Sequence, residues 1–269
     1  MMDPPSQPRP KFAARWLASY PKSGNTWVRF LIYQYFHGAA ASSIDITRFI
    51  PGFHNRNQMK SAGLFDGAMF IKTHFPLGPH IPSHEGAIGC IYVVRHPRDV
   101  ILSCLNYARL TGMLSDSQGI ADEAYVRSFL ALGGAAEYLK LQFGTFENHY
   151  KSWLDQSAIP TLLVRYEDLK SEPARQLSRI IAFLGHEPDA AKVEQSVALS
   201  SFERLQAMEI SEKEAGSDQR LFVGSTDQMK KGRLFMNKGQ SGRSLDPIAA
   251  GLDRAVEQRF ADAIRRFGY

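Results

Sequence analysis

The residues best placed to do chemistry begin at Ser19. The stretch SYPKSGNTWVRF, Ser19 to Phe30, sets a lysine directly before a serine and a glycine, where an apolar run gives way to a helical pattern. Gly24 can take φ values that strain other residues, so the backbone can wrap closely round an anion. The amides of Ser23, Gly24, Asn25, Thr26 and Trp27 would then point inward at a helix start, where the macrodipole favours negative charge. Ser23 and Thr26 add hydroxyl donors, and Lys22 adds an ammonium. This is a candidate phosphate turn. Its order differs from G-x-x-x-x-G-K-[ST], in which the lysine follows the last glycine. An ordinary strand-to-helix turn with a solvated lysine fits PKSG equally well.

Three further groups follow short apolar runs: Lys72-Thr73-His74, Arg95, and Tyr166-Glu167-Asp168. His74 stands two residues after Lys72 and two before Pro76, and an imidazole titrates where a general base is useful. In CIYVVRHPRDVILS, Arg95 precedes Ser103 by eight residues, so an arginine fork and a hydroxyl could share one phosphate. A structural pair between Arg95 and Asp99 is the plainer alternative. His37, His54 and His96 have no comparable setting and read as surface or structural groups. Phe49, Phe53, Phe65, Phe75 and Tyr107 fit a core more readily than an acceptor pocket.

Taken together, these stretches resemble the sulfotransferases that use 3′-phosphoadenylyl sulfate (PAPS). YPKSGNTW is similar to their 5′-phosphosulfate loop, and YVVRHPRDVILS to their 3′-phosphate motif. KTHFP is similar to their catalytic element, and RYEDL to the segment whose tyrosine contacts adenine. The motifs run in the family's order from Trp16 to about Gly242. The resemblance implies that Lys22 meets the bridging oxygen of the donor, while the amides of residues 23 to 27 hold the 5′-phosphate. It implies that Lys72 keeps the sulfuryl group in line and that His74 is the general base. Arg95 and Ser103 would bind the 3′-phosphate, and Tyr166 the adenine edge. Trp27 would stack on adenine, although a core tryptophan opening an amphipathic helix fits the same position.

The implied donor is PAPS, the implied product adenosine 3′,5′-bisphosphate (PAP), and the implied acceptor a small-molecule hydroxyl. Sulfuryl transfer moves less negative charge than phosphoryl transfer, so a lysine can serve the leaving oxygen and no metal is expected. The lack of an obvious membrane anchor resembles the soluble, cytosolic branch and suggests a bacterial member. The family's last motif, R-K-G-x-x-G-x-W, aligns with NKGQSGRS, Asn237 to Ser244. Lys238, Gly239 and Gly242 fit that motif, whereas Asn237 and Ser244 replace the arginine and the tryptophan. Lys238 and the Gly239 amide are expected to carry the contact, with the part played by Arg243 left open.

Four scattered motifs need a scaffold that gathers them. The runs FAARWLAS (12–19), AMFIKT (68–73), CIYVVR (90–95) and TLLVRY (161–166) are too short for helices and bounded by polar residues, Gly or Pro. Helical patterns follow three of them: TWVRFLIYQYF, RDVILSCLNYARL and PARQLSRIIAFLG. This alternation predicts an α/β, three-layer, P-loop-like fold with a central, mainly parallel sheet flanked by helices. Ligands of such sheets bind beyond the carboxyl ends of the strands, where all four motifs fall. Residues Thr111 to Tyr150 read as helical with a break at Gly133–Gly134, and Asp246 to Phe267 as one terminal helix. Glu212 to Ser244 reads as a long loop, which in a compact domain is commonly functional.

The chain has 269 residues, 44% of them hydrophobic, enough for a sizeable core. Residues 1–11, with Pro4, Pro5, Pro8 and Pro10, read as a disordered tail, and 12–269 as a single domain. The net charge of +5 suits a solvated surface, and no block of like charge suggests a nucleic-acid partner. Cys90 and Cys104 lie in apolar settings and suggest neither a disulfide framework nor a metal site, in keeping with a reducing compartment. No apolar run reaches the roughly 18 residues that span a bilayer, so a cytoplasmic location without membrane association is expected. Oligomeric state is not written in the pattern. Two rival functions remain: a kinase or other phosphotransferase with an atypical loop, and a non-catalytic binder of polyanions.

Overall fold

The four apolar runs become β1 (Ala13–Ala18), β2 (Ala68–Thr73), β3 (Ala87–Val94) and β4 (Thr161–Arg165). They form one sheet in the order β2-β1-β3-β4, with every neighbouring pair parallel. The computed structural model describes residues 13–60, 63–78, 81, 86–114, 120–155, 158–216, 221–237 and 239–269. The expected tail, 1–11, lies outside the described residues, as does Lys238.

The strands read as continuous apolar runs because both faces of the sheet are covered. Trp16, Cys90 and Tyr92 enter one core, while their neighbours Leu17, Ile91 and Val93 enter the other. Helices Pro97–Leu110, Ile120–Leu132 and Phe146–Leu154 pack on the first face; Asn25–His37, Pro173–Phe183 and Ala190–Leu199 pack on the second. Each fully buried Leu, Ile or Phe contributes about 1.5–3 kcal/mol, so these two interfaces supply the scaffold's stability. Among the described residues, no helix is long and apolar enough to cross a membrane.

The topology locates the site. From β1 the chain steps to β2 on one side, then returns past β1 to β3 on the other. At that reversal the loops leaving β1 and β3 diverge and open a crevice at the carboxyl ends. A third segment reaches the crevice beside edge strand β2: Lys72 N donates to Pro51 O at 2.9 Å, and Phe53 N donates to Lys72 O at 2.8 Å.

Two expected elements differ. The terminal helix is two helices, Leu252–Arg259 and Ala261–Phe267. The break falls at Phe260, which is fully buried between the rings of Phe129 and Phe146. The loop expected from Glu212 starts later, because Phe202–Glu214 is a helix capped by Ser201, and it contains a short helix, Thr226–Lys230, capped by Ser225.

Candidate active site

The turn after β1 does what its sequence requires. Gly24 takes φ 105° at the start of helix Asn25–His37, and Lys22 also lies in the left-handed region at φ 69°. A non-glycine residue held there is strained, and such strain gathers at functional sites. Trp27 N and Val28 N both donate to Gly24 O. The Trp27 amide is therefore used by the helix, which narrows the expected anion cradle to Ser23, Gly24, Asn25 and Thr26. The amides of these four have no backbone acceptor among the described residues. Ser23 is fully buried, and its hydroxyl has no hydrogen-bond partner among the described residues, as expected of a group set aside for a ligand.

The Asn25 side chain has a task of its own beside its amide. Its Nδ2 donates to Leu17 O and to Ser19 Oγ, both at 3.3 Å, so its side chain braces the turn from within.

The far wall comes from β3 and β4. Arg95 donates through Nη1 to Lys22 O at 3.4 Å and through Nη2 to Gln240 O at 2.9 Å, and its guanidinium lies 4.2 Å over the Tyr166 ring. Arg95 Nε is buried without a partner among the described residues. Asp99 is not its counter-ion; Asp99 Oδ2 instead accepts from Gly242 N at 3.0 Å. Tyr166 meets Trp27 edge to face at 5.8 Å and fills the space beside Gly24, where a Cβ would come within 2.4 Å of Tyr166 Cδ2. Trp27 Nε1 donates to Ser200 O at 2.9 Å, which fixes the indole. Ser103 is half-buried on helix Pro97–Leu110, one turn beyond Asp99.

Opposite stands His74. Its Nδ1 lies 2.8 Å from Ser19 O, a carbonyl that can only accept, so Nδ1 carries the proton and Nε2 keeps a basic lone pair. Burial, then the neighbouring Lys72, hold His74 well below the ordinary histidine pKa. Lys72 is itself buried, and burial together with Arg29 and Lys22 brings it well below the usual lysine value. Lys22 is lowered to about 8, chiefly by burial. Its ammonium sits 3.9 Å from the centre of the Phe235 ring and 4.6 Å from that of Tyr107.

The cationic character extends to residues that the sequence did not flag. Arg29 is buried, donates to Ile46 O and Ile50 O, and is lowered to about 9 by burial. His54, read from the sequence as a surface or structural group, is an exposed residue on the segment beside β2, where desolvation, then Lys72 and Arg29, lower it to about 4. Phe143 lies between the histidines, 5.8 Å from His74 and 6.4 Å from His54. Among the described residues, no group of three or more His, Cys, Asp or Glu could hold a metal ion.

The long loop is tied down by side chains that carry no motif. Glu209 and Lys213 form a fully buried ion pair at 2.5 Å. Glu209 also accepts from Phe235 N and Met236 N, both at 2.7 Å, and so seats Phe235 over Lys22. Gln206 Nε2 donates to Met236 O at 2.9 Å, and Asn106 Nδ2 to Leu234 O at 3.2 Å. Gly239 takes φ 57° with its α-carbon against the Phe202 ring, where a Cβ would clash. A cavity of about 590 Å3 is lined by Met113, Leu114, Tyr125, Phe129 and Glu137 among others, none of them a residue expected at the site.

Comparison with known proteins bears on the family and the fold. Residues 14–267 match the model of the sulfotransferase domain. Cytosolic sulfotransferase 13 of Arabidopsis thaliana is 26% identical over 277 residues, covering 93% of this chain and 78% of that protein. Flavonol 3-sulfotransferase of Flaveria bidentis is 24% identical over 265 residues, covering 90% and 80%. Human sulfotransferase 1E1 is 26% identical over 269 residues, covering 93% and 85%. The fold is shared with retinol dehydratase in complex with androsterone and the inactive cofactor PAP, at TM-score 0.66 and 19% identity over 96% of this chain and 82% of that one. It is shared too with mouse sulfotransferase SULT7A1 complexed with PAP, at TM-score 0.65 and 22% identity over 94% and 85%.

Proposed function

Because this chain belongs to the sulfotransferase domain family, we propose that it transfers a sulfuryl group from PAPS to the hydroxyl of a small-molecule acceptor, with residues 12–269 working as one domain. The donor supplies an activated sulfuryl group on a phosphate oxygen. The residues present suit it: the orphaned Ser23 hydroxyl, the four open amides, and the partnerless Arg95 Nε all call for anionic oxygens. Ser23, Gly24, Asn25 and Thr26 hold the 5′-phosphate through their amides. Arg95 and Ser103 hold the 3′-phosphate, with Lys238 and the Gly239 amide adding to the contact. Tyr166 and Trp27 flank the adenine.

In the reaction, His74 Nε2 takes the proton of the acceptor hydroxyl as its oxygen bonds to sulfur. Lys22 meets the negative charge left on the bridging oxygen when the old sulfur–oxygen bond breaks, and Lys72 steadies the sulfuryl oxygens. The observation that carries this reading is the bond between His74 Nδ1 and Ser19 O, 2.8 Å. The turn that bears Lys22 also sets the tautomer of the base, so the two groups are oriented by one piece of backbone.

The test is transfer of labelled sulfate to a panel of phenols and alcohols. In His74→Ala, turnover should fall at least about a hundredfold, the lower range for loss of a general base, with PAP affinity intact. Near-normal turnover in that variant removes His74 from the mechanism.

A further inference from the structure

Two aromatic faces, rather than a carboxylate, meet the ammonium of Lys22. The centre of the Phe235 ring lies 3.9 Å from Lys22 Nζ and that of Tyr107 4.6 Å, both within the reach at which a ring face attracts a cation. The two rings come from distant parts of the chain. Tyr107 stands on helix Pro97–Leu110, four residues after Ser103, and Phe235 belongs to the long loop. They meet edge to face at 6.5 Å and so form two walls of one corner. Each wall is braced from behind. Phe235 lies 6.0 Å from Phe222, which stacks at 6.0 Å on Phe30 of helix Asn25–His37, the helix that begins at the phosphate turn. Glu209 accepts from Phe235 N at 2.7 Å, and Asn106, the neighbour of Tyr107, donates to Leu234 O at 3.2 Å. Tyr107 packs on the Tyr138 ring at 6.3 Å.

The choice of rings has a chemical reason. A carboxylate here would neutralise the ammonium, take up its N–H groups and repel an anionic donor. A ring face attracts the charge through its quadrupole and leaves the N–H groups for an oxygen. It also keeps water away, which strengthens each charged contact the lysine makes. The titratable and charged groups around Lys22 are Cys104 and Tyr107 on helix Pro97–Leu110, Arg95 after β3, Lys72 on β2 and Glu209 on helix Phe202–Glu214. Burial raises both the Cys104 thiol and the Tyr107 hydroxyl, so each keeps its proton. Glu209 is committed to Lys213 and to the amides of Phe235 and Met236.

We infer that Phe235 and Tyr107 are positioning residues for the reaction: their ring faces hold the Lys22 ammonium in place, charged and with its N–H groups unspent, for the oxygen that leaves sulfur. The inference rests on the assignment of Lys22 to that oxygen.

The test places phenylalanines with one, two and three ring fluorines at position 235, which drain negative charge from the face while keeping the bulk. In sulfate transfer, kcat should fall stepwise, reaching roughly five- to thirtyfold with three fluorines, the range of one desolvated cation–π contact. The titration of Lys22, followed by carbon NMR of labelled lysine, should move stepwise to lower pH, by about one pH unit in all, since a weaker face favours the ammonium less. Tyr107→Phe keeps its face and should stay near wild type, whereas Tyr107→Leu should lose about as much as the trifluorinated ring. A series that is flat in either kcat or the titration overturns the inference, as does equal turnover in Tyr107→Leu and Tyr107→Phe. A melting temperature that falls in step with kcat overturns it too, as the mark of a packing role. Should Tyr107→Leu fail to fold, the fluorinated series decides the matter alone. Wild-type turnover in Lys22→Ala would instead overturn the assignment of Lys22, a separate and recognisable failure.

Discussion

Several side chains at the site titrate below their ordinary values, and the signs of the shifts at His74 and Lys22 give a pH profile. As the proposed base, His74 has to be neutral, and its pKa is lowered, so activity should be lost only as pH falls well below the usual histidine range. In its proposed role at the leaving oxygen Lys22 has to be an ammonium, and burial lowers it to about 8, so activity should be lost as pH rises through about 8. A bell for kcat/KM with its alkaline limb near that value is the expected outcome. Bound donor, being anionic, favours the ammonium, so the same limb in kcat should lie at higher pH. Lys22→Arg keeps the charge and should abolish the alkaline limb; a limb near pH 8 in that variant would show that another group titrates. Both residues stood out in the sequence, since Lys22 follows Pro21 two residues before Gly24, and His74 directly follows an apolar run two residues before Pro76. Arg29 and His54 did not, because their only signal is proximity: one lies inside a helix, the other on a segment recruited beside β2.

At the scale of elements, the anchoring of the long loop deserves a direct experiment. Glu209 and Lys213 are both fully buried, and Glu209 also receives the amides of Phe235 and Met236. Glu209→Gln leaves a buried ammonium without its counter-charge, which should cost about 3–5 kcal/mol in denaturant unfolding. It should also free Phe235 from Lys22 and raise tryptic cleavage at Lys230, Lys231 and Arg233. Wild-type stability and cleavage would mean that the loop is held elsewhere. Strands and the helices that follow them were readable because periodicity and length are local properties. The loop's order was not, since Glu209, Gln206 and Asn106 act across 26 to 128 residues of chain and look like surface groups in a helical pattern. The split at Phe260 was hidden for the same reason: a phenylalanine in a helical run gives no sign that two other rings require it to turn inward.

At the scale of the molecule, the proposed donor site draws on the ends of β1, β3 and β4 and on the loop that returns to Arg95 and Asp99. A ligand that bridges these parts should resist their separation. At about 100 times its Kd, PAP should stabilise by about 2.7 kcal/mol, or roughly 5 to 10 °C in Tm for a chain of this size. AMP lacks the 3′-phosphate that Arg95 and Ser103 are proposed to hold and should shift Tm far less; equal shifts would remove that assignment. The same arrangement has a consequence for synthesis. The ribosome delivers β1 first, yet β1 is an inner strand: Ala13 pairs with Ala68, and Ala14 with Ala87. The strand that bears the phosphate turn therefore waits, with both edges open, until its later neighbours emerge. Sheets built from such distant pairings close slowly, and their open edges attract other chains in the meantime. Nascent chains that end before Ala87 should be the aggregation-prone ones, and the anion cradle should be among the last features of the polypeptide to mature.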